Sequence, residues 1–418
     1  MRIIRGTIVE APENGKLRIT EKGYLILSDD GVILDITTTL PESAEGKIED
    51  YGDALILQSF CDMHLHAPQF PLTGMAMDKT LIDWLNCYAF PTERRFADTE
   101  YARRIYRLLA KKLLDNGTTR VCMFSSLHTD STLILMEELE NAGICGYVGK
   151  VNMDRNGGEG LEETTEESER ETLRWLEESK AFRHVKPILT PRFTPSCTNE
   201  LLEWLGKLAE ERNLYVQSHL SENEGEIEWV KSLHPDCREY WETYSKYGLF
   251  RDHTVMAHCV HSSEREIEAM RDNNVVVAYC ADSNVNICSG FAPIRHIMDK
   301  GVRVTLGSDI AGGSQIEMYR VITASIKASK ARRMNDNYNT EALTAAEGYY
   351  LATTSAHTYF GDKPGFQKGN RLHAIIVDDS TFPESATPIT VEERLERALY
   401  NMDDRNIKAV WSDGRKVR

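Results

Sequence analysis

The sequence predicts an α/β protein, a (β/α)8 TIM-like barrel with a small β-sandwich domain built from both termini. Short apolar segments alternate with amphipathic segments through the middle of the chain, and β-rich segments occupy both ends. Such alternation is typical of a parallel sheet covered by helices. We expect residues 57–365 to form the barrel, and residues 1–56 and 366–418 to form the two parts of the sandwich.

The two ends of the chain have the pattern of β-hairpins. Residues 24–27 and 32–36 are apolar runs on either side of Asp29-Asp30-Gly31, and Ser412-Asp413-Gly414 separates residues 408–411 from 415–417. An Asp-Gly pair between two apolar runs predicts a tight turn between two antiparallel strands. Since both β-rich ends flank the alternating middle, we expect them to meet in one small domain.

The middle of the chain has eight predicted strands, each a short apolar run. They are residues 54–57, 120–124, 146–149, 185–189, 214–217, 254–257, 275–278 and 302–306. Helical periodicity is visible between them, over residues 99–114, 132–139, 200–211 and 263–270. Apolar residues three and four apart predict helices with one buried face. The acidic run over residues 157–178 predicts a solvated loop and helix face.

Composition and charge restrict the partners and the location of the protein. The net charge of -16 argues against binding nucleic acid through its phosphates, although a neutral base remains possible as a substrate. No apolar stretch reaches the ~20 residues that span a bilayer, and Met1–Gly6 is too short to be a signal peptide. We therefore expect a cytoplasmic protein that acts on a small molecule, without a nucleic acid or membrane partner. The nine cysteines include no C-x-x-C pair, so neither a disulfide framework nor a cysteine zinc site is predicted.

Four histidines and one aspartate follow or end predicted strands. His64 and His66 come after the first, His219 ends the fifth, His258 ends the sixth, and Asp309 follows the eighth. Because residues i and i+2 of extended backbone point the same way, His64 and His66 should converge, and the C-terminal strand ends of a barrel share one mouth. Nitrogen and carboxylate ligands predict one zinc ion per subunit, with Fe²⁺ less favoured. Whether His258 binds the metal or hydrogen-bonds to its water is left open.

These residues resemble the amidohydrolase superfamily, and longer segments are similar to its guanine deaminase family. The similarity covers nearly the whole chain. It is carried by His64–Gln69, Asp83–Phe96, Gly149–Asp154, Thr164–Ser168, Thr190–Phe193, Ser218–Asn223, Gly307–Gly313 and Asp403–Ile407.

The resemblance implies hydrolytic deamination of guanine to xanthine and ammonia, and a homodimer. It implies that Glu222, Asp309 and His258 are catalytic: a zinc-activated water attacks C2, Asp309 takes its proton, and Glu222 protonates the ring. Gln69 offers a donor and an acceptor, Arg192 suits a carbonyl oxygen, and Phe193 can stack on the ring. The implied substrate contacts are His66, Ala67, Pro68, Gln69, Arg192, Phe193, His219, Glu222 and Asp309.

Two places in the sequence depart from the family pattern, one a six-residue segment and the other a single residue. The family commonly has His-Cys-Pro-x-Ser-Asn where this chain has Tyr279-Cys280-Ala281-Asp282-Ser283-Asn284, and His373 stands in place of an aspartate. A carboxylate at Asp282 could change which ring edge is preferred, so a pterin, an azapurine or another aminated heterocycle is the alternative substrate.

The sequence argues against two other classes of protein. A two-metal hydrolase of cyclic amides needs a modified lysine at the end of the fourth strand, where this chain has Leu189-Thr190 and Lys186 lies too early. A non-catalytic scaffold should lack the metal ligands, whereas all five are present.

Overall fold

The structure is a computed structural model that describes residues 1–40, 47–337 and 339–418. Its strands, in chain order, are β1 Arg2–Glu13, β2 Lys16–Leu27, β3 Ile33–Thr37, β4 Lys47–Gln58, β5 Phe60–His66, β6 Thr118–Phe124, β7 Cys145–Gly149, β8 Val151–Asn152, β9 Val185–Pro187, β10 Thr190–Pro191, β11 Val216–Leu220, β12 Thr254–His258, β13 Val276–Tyr279, β14 Arg303–Leu306, β15 Ala374–Val377, β16 Ile407–Ser412 and β17 Arg415–Lys416.

Helices separate most of these strands. In chain order they are α1 Leu81–Trp84, α2 Phe90–Arg94, α3 Thr99–Asp115, α4 Thr129–Ala142, α5 Thr165–Glu178, α6 Asn199–Arg212, α7 Glu224–Leu233, α8 Tyr240–Ser245, α9 Glu264–Asp272, α10 Ala281–Asn286, α11 Ile294–Asp299, α12 Met318–Asn335, α13 Ala345–Ala352, α14 Thr354–Tyr359 and α15 Val391–Asn401. Among the described residues, no helix combines the length and apolar character needed to cross a bilayer.

The four helices predicted between strands are present, with ends that differ from the predicted segments by at most three residues. Their ends follow from local hydrogen bonding. The Asp98 side chain accepts hydrogen bonds from the backbone of Glu100 and Tyr101 at the start of α3, and Gly143 closes α4 with a left-handed backbone, φ 85°. The acidic run becomes α5, which begins with a capping box between Thr164 and Glu167.

Strands from both ends of the chain form one sheet. Within the described residues it has seven strands in the order β17-β16-β15-β4-β1-β2-β3. β1 pairs in parallel with β4 and antiparallel with β2, and its register shifts between Gly6 and Ile8 in the β2 pairing. Strands from residues 2–58 and 374–416 thus pair side by side in one sheet.

The middle strands form two parallel four-stranded sheets, in the orders β5-β6-β7-β9 and β11-β12-β13-β14. A parallel bridge between Leu189 and Val216 joins one pair of edges. At the other pair, Asp309 N donates to His64 O over 2.8 Å and His66 N donates to Ile310 O over 3.1 Å. β5 and β6 are buried along their whole length, as expected for parallel strands covered on both faces.

The prediction of the first middle strand was wrong. Residues 54–57 belong to β4 of the terminal sheet, where Leu55–Gln58 pair with β15. The first parallel strand is instead β5, Phe60–His66, so His64 and His66 lie inside a strand and not after one. The buried end of β4 and the buried strand β5 follow each other with only Ser59 between them. Their apolar patterns are alike, so the sequence does not show that the two strands belong to different sheets.

Candidate active site

The H-x-H pair and Asp309 come together because β5 is hydrogen-bonded to the segment that follows β14. The Nε2 atoms of His64 and His66 lie 3.3 Å and 3.6 Å from Asp309 Oδ1. A Cβ on Gly307 would lie 2.8 Å from His64 Cβ, so only glycine permits this close approach of the two strands.

The ends of β11 and β12 bring in two further imidazoles. His66 Nε2 lies 3.1 Å from His219 Nε2, and His258 Nε2 lies 4.0 Å from Asp309 Oδ2. The potential ligand atoms of His64, His66 and Asp309 are all within 4.8 Å of one another, as are those of His64, His219 and His258. The structure therefore collects the five predicted ligands around one centre.

Hydrogen bonds behind the centre set the orientation of the imidazoles and the carboxylate. The Nδ1 atom of His219 lies 2.6 Å from the Arg192 carbonyl oxygen, and that of His258 lies 2.8 Å from Asn284 Oδ1. Because these oxygens only accept, each imidazole carries its proton on Nδ1 and turns the Nε2 lone pair toward the centre. The Ser283 hydroxyl donates to Asp309 Oδ2 and fixes the carboxylate.

The protonation states match those that a divalent cation needs. Burial lowers the pKa of His66 and His219 well below the usual value, and lowers the pKa of His258 to about 4. Burial would raise the pKa of Asp309, but the adjacent His64, with smaller effects from His258 and Ser283, lowers it to about 2. The neutral imidazoles of His66, His219 and His258 and an ionised Asp309 carboxylate are ligands suited to zinc.

His64 gives independent support for a metal at this centre. Its Nε2 atom is buried, and it makes no hydrogen bond with any described residue. Asp309 Oδ1 lies 3.3 Å away but not in hydrogen-bonding geometry, so the buried nitrogen keeps a desolvation penalty that coordination to a cation would reduce. The residues present therefore fit a metal ion.

Some of the residues with unusual backbone angles lie at the same strand ends. Ser221, His258, Cys259 and Asp309 all have positive φ angles, between 47° and 74°. Such angles are uncommon for residues other than glycine and cluster at functional sites. Two of them, His258 and Asp309, are predicted metal ligands, so part of the unusual backbone lies at the centre itself.

A cavity adjoins the ligand cluster. One wall is apolar and includes Leu81, Trp84, Leu85, Phe193 and Ile287. The polar lining comprises His66, Gln69, Arg192, His219, Glu222, Glu226, His258 and Asp309. The structure thus gathers most of the predicted substrate contacts around one space.

Two predicted contacts lie elsewhere. Ala67 and Pro68 are buried in a short 3-10 helix, Ala67–Leu72, and are not among the side chains that line the cavity. Their position at the start of this helix places Gln69, three residues beyond the end of β5, at the cavity wall.

Glu222 lies between the metal centre and the cavity. Its Oε2 atom is 3.5 Å from His258 Nε2, while its buried Oε1 atom has no hydrogen-bond partner among the described residues. Burial, reinforced by the negative charges of Glu226 and Asp309, raises the pKa of Glu222 well above its usual value. A carboxyl group that keeps its proton can serve as a general acid.

Comparison with known proteins identifies the class of this site. The profile of the amidohydrolase family matches residues 55–417. The chain belongs to this family. It is similar over its full length to the guanine deaminases of Dictyostelium discoideum, with 34% identity covering 100% of this chain and 98% of the relative, and of Rattus norvegicus, with 35% identity covering 99% and 96%.

A solved amidohydrolase structure matches the fold closely. The guanine deaminase from C. acetobutylicum, with guanine bound in its active site, superposes with a TM-score of 0.96 at 40% identity and covers 99% of both chains. The resemblance to guanine deaminases inferred from the sequence motifs is therefore confirmed, and the chain has the α/β fold of the amidohydrolases.

The two departures from the family pattern lie outside the cavity. Asp282 Oδ2 accepts hydrogen bonds from the backbone and hydroxyl of Ser314, at 2.6 Å and 2.9 Å, and does not line the pocket. His373 is buried beside Thr119 and Arg120, with its ring nitrogens 3.1 Å from Thr119 Oγ1 and Arg120 Nη2. Neither change alters the groups that face the cavity.

Sequence reasoning missed three residues that support this amidohydrolase site. Ser283 and Asn284 orient Asp309 and His258, and Glu93 contacts both Gln69 and Arg192. Ser283 and Asn284 lie in the Ser-Asn pair that the chain shares with the family, and Glu93 lies in the shared Phe90-Pro91-Thr92-Glu93 segment. These shared segments were the available signal, but the contacts themselves depend on the folded structure.

Proposed function

We propose that this chain hydrolyses guanine to xanthine and ammonia as a zinc-dependent deaminase. The observation that carries the proposal is one cavity bordered both by the ligand cluster and by Gln69, Arg192 and Phe193. The guanine deaminases that are similar over the full length, one of them with guanine bound, support the choice of substrate.

The metal site would consist of His64, His66, His219 and Asp309. His258 is either a fifth ligand or a hydrogen-bonding group for the nucleophilic water. The nitrogen and carboxylate donors favour zinc, one per subunit, with iron as the less favoured ion. When bound, zinc would supply Lewis acidity that lowers the pKa of water to ~7.

Two carboxyl groups would move the protons of the reaction. Ionised Asp309 accepts a proton from the water that adds to C2 of guanine. Protonated Glu222 gives its proton to the ring nitrogen beside C2, where negative charge would otherwise build up. The proton taken up by Asp309 then passes to the amino group, and the C2–N bond breaks to release ammonia. The proton of the added C2 hydroxyl returns to Glu222 as the C2 carbonyl of xanthine forms.

The cavity walls would select the base. The Arg192 guanidinium donates to the C6 carbonyl oxygen, and the Gln69 amide pairs with donors and acceptors on the purine edge. Phe193 covers a ring face, while Ala67 and Pro68 complete the predicted contact segment. Asp282 accepts hydrogen bonds from Ser314 and does not line the cavity, so it gives no reason to expect a pterin or an azapurine in place of guanine.

We also propose the finer architecture predicted from the sequence. The links at both pairs of sheet edges support one (β/α)8 barrel over residues 57–365, although β4 of the terminal sheet includes the first two of these residues. The register shift in β1 supports a folded, sandwich-like sheet from residues 1–56 and 366–418. The homodimer and the cytoplasmic location stay predictions.

A panel of bases tests the activity. The purified zinc-loaded protein is assayed for ammonia release from guanine, 8-azaguanine, pterin, isoguanine, cytosine and adenine, with metal content measured on the same sample. We expect guanine to have the highest kcat/KM. An inert guanine beside an active pterin or other base would refute the substrate assignment.

A single variant tests the proton donor. Glu222→Gln keeps the shape of the side chain but removes the acidic proton, so turnover should fall about 100-fold or more while zinc content stays at the wild-type level. Loss of zinc from this variant would show that Glu222 had been assigned the wrong role.

A further inference from the structure

A buried carboxylate lies behind the two side chains proposed to read the purine edge. Glu93, at 2% exposure, is on α2 and does not line the cavity. Its Oε2 accepts from Arg192 Nη1 at 2.6 Å, and its Oε1 accepts from Arg192 Nη2 at 2.9 Å and from Gln69 Nε2 at 2.8 Å. One carboxylate thus holds both residues.

The contacts fix the plane of the Arg192 guanidinium. Two parallel N–H···O bonds to Glu93 define one edge, and the ring of Phe90, also on α2, lies 5.0 Å from Arg192 Cζ. Arg192 is buried, so its charge needs a partner inside the protein. The other N–H groups of Arg192 are therefore held in one direction. Because the charges of Arg192 and Glu93 cancel, the pair presents no net charge to an uncharged base.

The same carboxylate determines which way the Gln69 amide faces. A carboxylate only accepts hydrogen bonds, so the group that contacts Glu93 is the amide nitrogen. Gln69 Oε1 then accepts from Ala311 N at 3.3 Å. The Gln69 amide has one further N–H and one further oxygen lone pair available to a ligand. Because Glu93 holds the nitrogen, it decides which side of the amide offers the donor and which offers the acceptor.

We propose that Glu93 is a positioning residue that makes the site prefer a 6-oxo over a 6-amino purine. It acts by aiming the free N–H groups of Arg192 at a carbonyl oxygen, and it keeps the donor and acceptor of Gln69 in a fixed order. This proposal rests on the proposed function, because that function places the purine C6 group at Arg192. Glu93 itself touches no substrate.

Glu93→Gln is the most direct test. Both carboxylate oxygens accept from Arg192, so either orientation of the new amide places an NH₂ group against a guanidinium NH₂, while the volume is unchanged. In the orientation that places the amide oxygen at the Oε1 position, that oxygen still accepts from Gln69 Nε2. Glu93→Asp keeps the charge and serves as the conservative rescue.

The readout is a ratio of two affinities, measured by calorimetry on zinc-loaded protein with hypoxanthine and adenine. Neither base has an amino group at C2, so binding is measured without the guanine reaction. We expect wild type to prefer hypoxanthine, Glu93→Gln to reduce the ratio about 10- to 100-fold, and Glu93→Asp to restore part of it. Partial unfolding lowers the binding stoichiometry but leaves the ratio of dissociation constants unchanged.

A double variant covers the case in which Glu93→Gln does not fold. Glu93→Gln with Arg192→Met removes both buried charges, and without Arg192 the new amide oxygen is free to accept from Gln69 Nε2 as the carboxylate did. The order of the Gln69 donor and acceptor is then kept, so the ratio of the double variant should equal that of Arg192→Met alone. A ratio unchanged in Glu93→Gln, or a further loss in the double variant, would overturn the proposal. Absence of guanine turnover in wild type with the ratio intact would refute the proposed function instead.

Discussion

Replacing Gly307 with alanine tests how closely the segment after β14 must pack against the metal centre. The new Cβ would lie 2.8 Å from His64 Cβ and 3.0 Å from the backbone N and O of His64. Carbon atoms in favourable contact are about 3.5–4.0 Å apart, so the two strands must separate by about 0.7 Å or more. His64 would move with its backbone, away from its partners around the centre.

The expected magnitude follows from the atoms involved. Overpacking a buried position costs ~1–3 kcal/mol, and we expect the upper part of that range because backbone atoms cannot rotate away. A displacement of the order of an ångström in a catalytic group lowers activity about 100-fold. Zinc affinity should fall about 10- to 100-fold, the range found when the support of a metal ligand is disturbed.

Gly348→Ala is the matched control. Its Cβ would lie 2.7 Å from Ile322 Cγ2, almost the same clash, but the neighbour is a side-chain methyl and Gly348 does not line the cavity. Within α13, alanine also gains ~1 kcal/mol of helix propensity over glycine. We expect a smaller loss of stability and no change in zinc affinity.

Three measurements on both variants decide the matter: thermal unfolding, zinc affinity by chelator competition, and ammonia release from guanine. If Gly307→Ala keeps wild-type zinc affinity and turnover, or if Gly348→Ala loses both to the same degree, the packing argument for His64 fails.

Three further outcomes are expected. Asn284→Ala removes the acceptor for His258 Nδ1, so kcat should fall about 10- to 100-fold with the protein still folded by circular dichroism; an unchanged kcat would mean that this hydrogen bond does not orient His258. Burial raises the pKa of Glu266 from 4.5 to about 7, so the folded state retains its proton and stability falls as the pH rises between these values. Glu266→Gln should therefore flatten the decline in the free energy of unfolding by on the order of 3 kcal/mol, measured in urea at pH 4.5 and pH 7.5; an equally steep decline would contradict the assignment. Chelation of zinc should lower the melting temperature, and restored zinc at about 1,000 times its Kd should recover ~4 kcal/mol, whereas an unchanged melting curve would argue against a bound ion.

The residues around the metal centre could be predicted because their signals are local. Side chains two residues apart point to the same face of any strand, so His64 and His66 must lie on one side. His219, His258 and Asp309 each lie at or just beyond a recognisable apolar run. Alternating strands and helices then place these ends on one side of the structure. None of these steps requires knowledge of a specific long-range contact.

The residues behind the centre could not be predicted because their function depends on tertiary neighbours. Glu93 lies 99 residues before Arg192, and nothing in the local sequence pairs them. Asn284 and His258 are separated by 26 residues and by β13. The misplaced first strand has a similar origin, since residues 54–57 and β5 are both buried and only the sheet partners distinguish them.

The position of β4 between β1 and β15 has a consequence for synthesis on the ribosome. β1 becomes available early, but the other edge of β4 pairs with residues 374–377, which are made more than 300 residues later. Until then, the edge formed by Leu55, Ile56 and Leu57 presents unpaired backbone groups beside apolar side chains that are buried in the finished protein. The nascent chain therefore has an aggregation-prone strand edge through most of its translation. Chaperones that bind unfolded chains should bind this edge until β15 emerges.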